Sequence, residues 1–194
     1  MKKFTLALIA VSVALSAQAA SAAVIAGPGL GNPDGGWSYA GVAFHANQNA
    51  TLTGFTFQNQ GQADTVVLTD LAGNILQSLA TPGGANSFVA SVAWALTGGA
   101  DYRLLQVAES NAMWTYYGAA APSNADISMT ATGIFGSGVN DFGIYGNDYW
   151  TGFNDITTQG VAGVPEPAAW ALMLMGFGLI GATARSRKLV LVTA

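Results

Sequence analysis

The sequence has no cysteine and little charge. None of its 194 residues is a cysteine, and Asp, Glu, Lys and Arg together make up only 8% of them. Without cysteine no disulfide can form, so packing or a bound metal must stabilise any exported domain. A cysteine nucleophile is excluded on the same ground.

Positive charge is nearly missing from the middle of the chain. Between residues 24 and 163, Arg103 stands alone against nine acidic residues, which gives this region a formal net charge of −8. A surface this acidic repels phosphate backbones, so we expect no nucleic-acid partner.

The middle region also lacks a sustained apolar pattern of helical period. Short alternating runs rich in Val, Thr, Phe and Tyr take its place, with Gly54 as a candidate bulge in the run at 51–58. Glycine-containing turns are predicted at 71–74, 82–86 and 97–101, and strands at 51–58, 64–70, 75–80, 87–96, 102–109, 112–118 and 126–133. The pattern predicts an all-β fold, an antiparallel β-sandwich, with helices confined to the two ends.

Two stretches of this region resemble the small jelly-roll modules of secreted bacterial proteins. They are "LTGFTFQNQGQADTVVLTDLAGNILQSL" and "VAWALTGGADYRLLQ", which together span roughly residues 52–109. The resemblance implies a jelly-roll-like sandwich and says little about activity.

The first residues have the three-part pattern of a secretory signal peptide. In "MKKFTLALIAVSVALSAQAASAA", Lys2 and Lys3 precede an apolar run at 4–15, and small residues follow. Cleavage is expected after Ala19 or after Ala22, by signal peptidase following passage through the Sec translocon. The sequence therefore predicts a signal peptide at 1–22 and a β-sandwich domain at 23–163.

The segment "VPEPAAWALMLMGFGLIGATARSRK", residues 164–188, combines a short proline motif, an apolar run and a basic cluster. The 17 residues from 168 to 184 carry no charge, and as a helix they would extend about 26 Å, close to the ~30 Å hydrocarbon core of a bilayer. We predict a C-terminal transmembrane helix, with the basic end on the cytoplasmic side.

The three-part order of this segment resembles the PEP-CTERM sorting signal. The matching residues are Pro165, Glu166 and Pro167, then the apolar span, then Arg185, Arg187 and Lys188. The resemblance implies an exosortase partner, a membrane-embedded cysteine transpeptidase of Gram-negative bacteria that processes the chain near the prolines. It also implies an inner-membrane intermediate, a final location at the cell surface or outside the cell, and an association with exopolysaccharide and biofilm. The short tail at 189–194 extends past the usual end of such signals.

Asn-Asp pairs recur at a spacing of seven, at residues 140, 147 and 154. Carboxylate and amide oxygens are the ligands that calcium prefers, but the spacing differs from that of a calcium loop. The favoured interpretation is that each pair begins a turn, with aromatic strands between. We therefore predict no metal site and no cofactor.

Aromatic residues cluster in two segments of the middle region. Adjacent rings in a strand point to opposite faces, so one ring of each adjacent pair is expected at the surface. Such rings with neighbouring Asn and Asp could stack on sugars, or they could fill the core instead. The residues proposed for ligand binding are Trp114, Tyr117, Tyr149 and Trp150.

Nothing in the sequence selects catalytic residues. His45 is the only histidine, and no spacing singles out a pair among the nine carboxylates. We therefore expect a non-enzymatic cell-surface or matrix protein. The alternatives are a glycan-binding module and a secreted hydrolase.

Overall fold

The computed structural model describes residues 21–33, 38–107, 113–161 and 173–181. The chain divides into two compact units, Ala20–Val161 and a second unit made of Met1–Ala19 with Ala162–Ala194. The described strands are β1 (Ala22–Ala26), β2 (Asn32–Pro33), β3 (Tyr39–Ala46), β4 (Ala50–Gln58), β5 (Asp64–Asp70), β6 (Ile75–Thr81), β7 (Ser87–Leu96), β8 (Asp101–Val107), β9 (Met113–Tyr116), β10 (Ile127–Gly138), β11 (Asp141–Ile144), β12 (Tyr149–Thr151) and β13 (Phe153–Gly160). One helix, α1, covers residues 173–181.

The first sheet has four antiparallel strands in the order β1-β13-β4-β7. Strand β4 alternates buried Leu52, Phe55 and Phe57 with half-buried threonines, because successive side chains point to opposite faces. The register of β4 against β7 shifts between Leu52 and Gly54, which confirms the irregularity predicted at this glycine.

The second sheet has six antiparallel strands in the order β11-β10-β3-β8-β5-β6. Strands β5 and β6 form a hairpin across the predicted turn at 71–74, where Gly73 has a φ of 85°. The Asp70 carboxylate accepts hydrogen bonds from the backbone N–H of Asn74 at 2.9 Å and from its side-chain amide at 2.7 Å. The turn predicted at 71–74 is therefore confirmed, and hydrogen bonds to Asp70 stabilise it.

The main hydrophobic core lies between these two sheets. One sheet contributes Leu52, Phe55, Trp94 and Ile156, and the other contributes Val42, Phe44, Leu68, Leu104 and Met129. Full burial of a side chain of this size contributes about 1.5–3 kcal/mol. The all-β, antiparallel, sandwich-like fold is thus confirmed, with a core that stabilises it without disulfides.

A third, three-stranded sheet has the order β12-β9-β2. Strand β9 falls within the strand predicted at 112–118 and β10 extends beyond the one predicted at 126–133. Strands β11 and β12 lie where aromatic strands were predicted between the Asn-Asp pairs, whereas β1, β2, β3 and β13 had no sequence prediction.

The predicted transmembrane segment is described only in part. Helix α1 lies inside the 168–184 span, and its side chains are exposed. In the described ranges no helix is both long enough and apolar enough to cross a bilayer. Residues 162–172 and 182–194 lie outside the described residues, as do residues 1–20 of the predicted signal peptide, so neither segment is confirmed by the fold.

Candidate functional site

Strands β9 and β12 bring two of the four proposed ligand-binding residues, Trp114 and Tyr149, to one face of the small sheet, together with Tyr116. Tyr149 pairs directly with Tyr116, and Thr151 pairs with Trp114. Residues opposite each other in a ladder share a face, as do residues two apart in a strand. Trp114, Tyr116 and Tyr149 therefore point the same way.

The rings on this face contact one another. The ring centroids of Tyr116 and Tyr149 are 5.0 Å apart, those of Trp114 and Tyr116 5.1 Å, and those of Trp114 and Tyr149 5.4 Å. Tyr145 meets Tyr149 edge-to-face at 5.7 Å, and Phe135 meets Tyr145 at the same distance. We call these five residues the aromatic cluster. Its separations are typical of favourable aromatic pairs.

The aromatic cluster is open on one side. Tyr116 is 71% exposed and Tyr145 is 43% exposed, whereas Trp114 and Tyr149 are half-buried and Phe135 is buried beneath them. The cluster thus presents the accessible rings of Tyr116 and Tyr145, supported by the packed rings of the other three residues.

The other two proposed ligand-binding residues lie on the opposite face. Trp150 is completely buried in the main core, and its indole N–H donates to the carbonyl oxygen of Phe153. Tyr117 is half-buried and packs against Trp150 with ring centroids 5.0 Å apart. Successive side chains of a strand point to opposite faces, so one residue of each adjacent aromatic pair points into the core. Trp150 and Tyr117 are those residues.

Strand β10 fixes the position of β12. The Thr132 hydroxyl donates to the carbonyl oxygen of Tyr149 at 2.6 Å. A Cβ atom at Gly133 would lie 2.9 Å from the Cβ of Tyr149, so only glycine permits this approach. The aromatic cluster depends on these backbone contacts, which no local sequence pattern reveals. Phe135 was not predicted as part of the site for the same reason, because its contact with Tyr149 joins two different strands.

The tyrosine hydroxyl at the centre of the aromatic cluster is uncharged. The Tyr149 hydroxyl donates a hydrogen bond to Tyr116, which stabilises the neutral phenol and raises the pKa of Tyr149. The charges of Tyr116, Asp148 and Tyr145 and partial desolvation raise it further, so Tyr149 is neutral at physiological pH. Asp148 is an exposed acidic residue beside the rings. The site can stack on apolar faces and form hydrogen bonds.

The Asn-Asp pairs follow the turn interpretation in two cases of three. Asn140 and Asn147 lie in turns, although each follows the first turn residue, and Asp141 is already the first residue of β11. Asn154 and Asp155 instead lie within β13, where the Asn154 side chain accepts a hydrogen bond from the N–H of Gly29 at 2.8 Å. The prediction of a turn at this third pair is wrong, because ladder pairing with β1 and β4 overrides the local preference of Asn and Asp.

His45 lies away from the aromatic rings, in β3. Its Nδ1 is 2.8 Å from the Asp101 carboxylate, and both side chains are about two-fifths exposed. Within the described ranges no three His, Cys, Asp or Glu side chains are grouped as metal ligands.

Comparison with known families identifies the C-terminal segment. Residues 163–188 match the model of the PEP-CTERM protein-sorting motif. The match includes all six sorting residues named above, from Pro165 to Lys188, which lie outside the described part of the structure. The chain therefore carries an exosortase sorting motif, which supports an exported, exosortase-processed protein that is sorted to the cell surface. No curated protein matches the chain.

Proposed function

We propose that this chain is a non-enzymatic protein of the cell surface or extracellular matrix, linked to exopolysaccharide and biofilm in a Gram-negative bacterium. A signal peptide directs it to the Sec translocon, and signal peptidase removes that segment. The apolar span at 168–184 then holds it in the inner membrane until exosortase acts. The observation that carries this proposal is the sorting motif at 163–188.

The composition of the β domain supports an extracellular role. It uses no cysteine and one basic residue, and its charge of −8 favours solubility outside the cell. Its core is built from aliphatic and aromatic packing between two sheets.

Intact-mass measurement of the protein recovered outside the cell tests the proposal. The expected mass corresponds to a chain that begins at Ala20 or Ala23 and ends near Pro165–Pro167. Recovery of a chain that still contains Trp170 to Lys188 would show that the segment is an anchor and not a processed signal.

A second candidate function is glycan binding through the aromatic cluster. Two exposed tyrosine rings lie over packed ones, with Asp148 beside them. The indole N–H of Trp114 is shielded from solvent and has no hydrogen-bond partner among the described residues. This combination of ring faces and unpaired polar groups suits the alternating apolar and hydroxylated surfaces of a sugar.

The charge of the domain restricts the class of glycan. An acidic polysaccharide would meet Asp148 and the net charge of −8, and like charges at an interface disfavour association. We therefore propose a neutral polysaccharide as the ligand of the aromatic cluster.

Binding of the full chain to neutral dextran and to acidic alginate, each immobilised, tests this second function. Tyr116→Ala should weaken dextran binding about tenfold, which corresponds to about 1.4 kcal/mol, while Tyr116→Phe keeps the ring and should retain most of it. Equal retention on alginate and dextran, or no difference between the two variants, would rule out ring stacking on a neutral glycan. Neither result affects the sorting proposal, which the mass measurement tests separately.

A further inference from the structure

One flank of the sandwich is uncharged along its whole length. Strand β6 is the last strand of the six-stranded sheet and β7 the last of the four-stranded sheet. The five residues 82–86 connect them, so the two edges lie on the same side of the domain. From residue 75 to residue 96 there is no Asp, Glu, Lys, Arg or His, although the domain as a whole is strongly acidic.

Strand β7 is an open edge. It pairs with β4 on one side only, and in the described part of the chain no strand lies on its other side. Val89 is 75% exposed and Ser87, Ser91, Ala93 and Ala95 are exposed as well. The outward-facing backbone groups of β7 are therefore available to another strand.

Edge strands of soluble proteins usually carry protection against such pairing. Typical devices are short length, lysine or proline on the edge, and bulges. Strand β7 has ten residues and contains neither a charge nor a proline. A register shift near Val92 leaves residues 87–91 as a regular segment of five residues. This bulge is the only one of these protective features in β7. It limits the length of a strand that could be added at the edge but does not prevent the addition.

The charge distribution selects the partner. Two copies of a domain with a net charge of −8 repel each other where their acidic surfaces meet. The repulsion is weakest when the two copies meet through uncharged surfaces. An added strand must also supply complementary backbone groups, which β7 of a second copy does. We propose that two copies of this chain associate through β7, paired antiparallel about a two-fold axis at Val89.

This arrangement joins the two four-stranded sheets into one continuous sheet. Val89 faces its own counterpart, and Ser87 of each copy faces Ser91 of the other. A pair related by a two-fold axis uses the same surface twice and closes on itself. The inference is independent of the sorting motif and of the aromatic cluster, because it concerns neither segment.

Disulfide trapping tests the proposal directly, since the chain has no cysteine of its own. Cα atoms of directly opposed residues in an antiparallel pair lie about 4.5–5.5 Å apart, within the about 4.4–6.8 Å that a disulfide spans. Cells that export the full chain with Val89→Cys should yield a covalent dimer on mild oxidation. The matched control is Val24→Cys on β1, the opposite edge of the same sheet, where Val24 is 56% exposed. We expect about fivefold more dimer from Val89→Cys, because only this position is held opposite itself.

A charge at the same position gives a second measurement. Val89→Lys places two ammonium groups directly opposite each other and should shift the full chain toward monomer in sedimentation, because opposed like charges destabilise a strand pair. Val24→Lys carries the same charge change and should leave the distribution unaltered. Equal trapping at Val89 and Val24 would overturn the proposal, as would dimers that persist in Val89→Lys but disappear in Tyr116→Ala.

Discussion

Asp64 is a buried carboxyl group at the start of β5. It accepts hydrogen bonds from the Thr65 N–H at 2.7 Å and from the Gln106 side chain at 2.5 Å. Burial raises the pKa of Asp64 above its ordinary value, and the hydrogen bonds only partly offset this effect. The folded domain therefore binds a proton at Asp64 more tightly than the unfolded chain does.

The sign of the resulting pH dependence follows from linkage. Because the pKa of Asp64 is higher in the folded state, its contribution to the free energy of unfolding is lost as the pH rises from the unfolded pKa, about 3.9, through the folded one. Asp64→Asn cannot titrate, so this variant should gain stability relative to the wild type across that window. Urea unfolding of the exported protein at several pH values measures the difference.

Asp70 serves as the control with opposite sign. Its hydrogen bonds from the Asn74 side chain and backbone lower the pKa of this exposed carboxyl group. Its contribution is present above the unfolded pKa and is lost as the pH falls. Asp70→Asn should therefore lose stability relative to the wild type as the pH rises; parallel trends in the two variants would contradict the assignment.

Gly133 permits the close approach of β12 to β10. An alanine there would place its Cβ 2.9 Å from that of Tyr149, so we expect Gly133→Ala to lower the free energy of unfolding by about 1–3 kcal/mol through overpacking. Gly138→Ala in the same strand is the matched control, since its nearest neighbour would be 3.8 Å away. Denaturant unfolding of both variants decides the matter: similar values would show that Gly133 is not required for packing.

At the scale of elements, β1 links the two ends of the domain. It pairs with β13 from Ala22 opposite Gln159 to Ala26 opposite Asp155, and Ile25 is buried in the core. Cleavage after Ala19 keeps all five residues of the strand, whereas cleavage after Ala22 removes the first pair.

We therefore predict that the stable exported form begins at Ala20. Intact-mass analysis identifies the first residue, and a thermal melt compares the forms that begin at Ala20 and at Ala23. The shorter form should unfold at a lower temperature because it lacks one backbone pair, worth about 0.5–1.5 kcal/mol. Equal melting temperatures would show that the first pair contributes nothing.

The sequence predicted the elements whose signal is local. Alternation placed the strand carrying Phe55 and Phe57, and glycine and asparagine placed the turn after Asp70. Strand β1 escaped prediction because it is short and gains its stability from β13, more than a hundred residues away in the sequence. The same holds for the candidate site. Strand alternation predicted that the side chains of Tyr149 and Trp150 point to opposite faces. Which of the two rings is exposed depends on how the small sheet packs on β10, and the sequence does not show this.

At the scale of the whole chain, the domain and the sorting motif are separable parts. The motif at 163–188 lies outside the compact unit Ala20–Val161. Glu166→Ala or Pro167→Ala should therefore leave the β domain folded while the protein stays in the membrane fraction at nearly full length, because exosortase recognition fails. Fractionation and mass measurement of wild type and variants provide the test.

Pro122→Ala is the control for this prediction, since it removes a proline from the β domain and leaves the motif intact. It should be processed as the wild type is. Processing of all three variants to the same mature mass would show that the Pro-Glu-Pro triplet is not what the enzyme reads.

The pairing of the first strand with the last has a consequence for the timing of export. A chain that crosses the membrane N-terminus first delivers β1 early, but its ladder partner β13 arrives only at the end of the domain, with Asp155 opposite Ala26 and Gln159 opposite Ala22. Contacts of such large sequence separation form slowly, because a long loop must close before they are made. The four-stranded sheet can therefore be completed only when residue 160 has emerged, immediately before the sorting motif at 163–188 follows. The processing signal therefore follows before the slow closure of this sheet is complete.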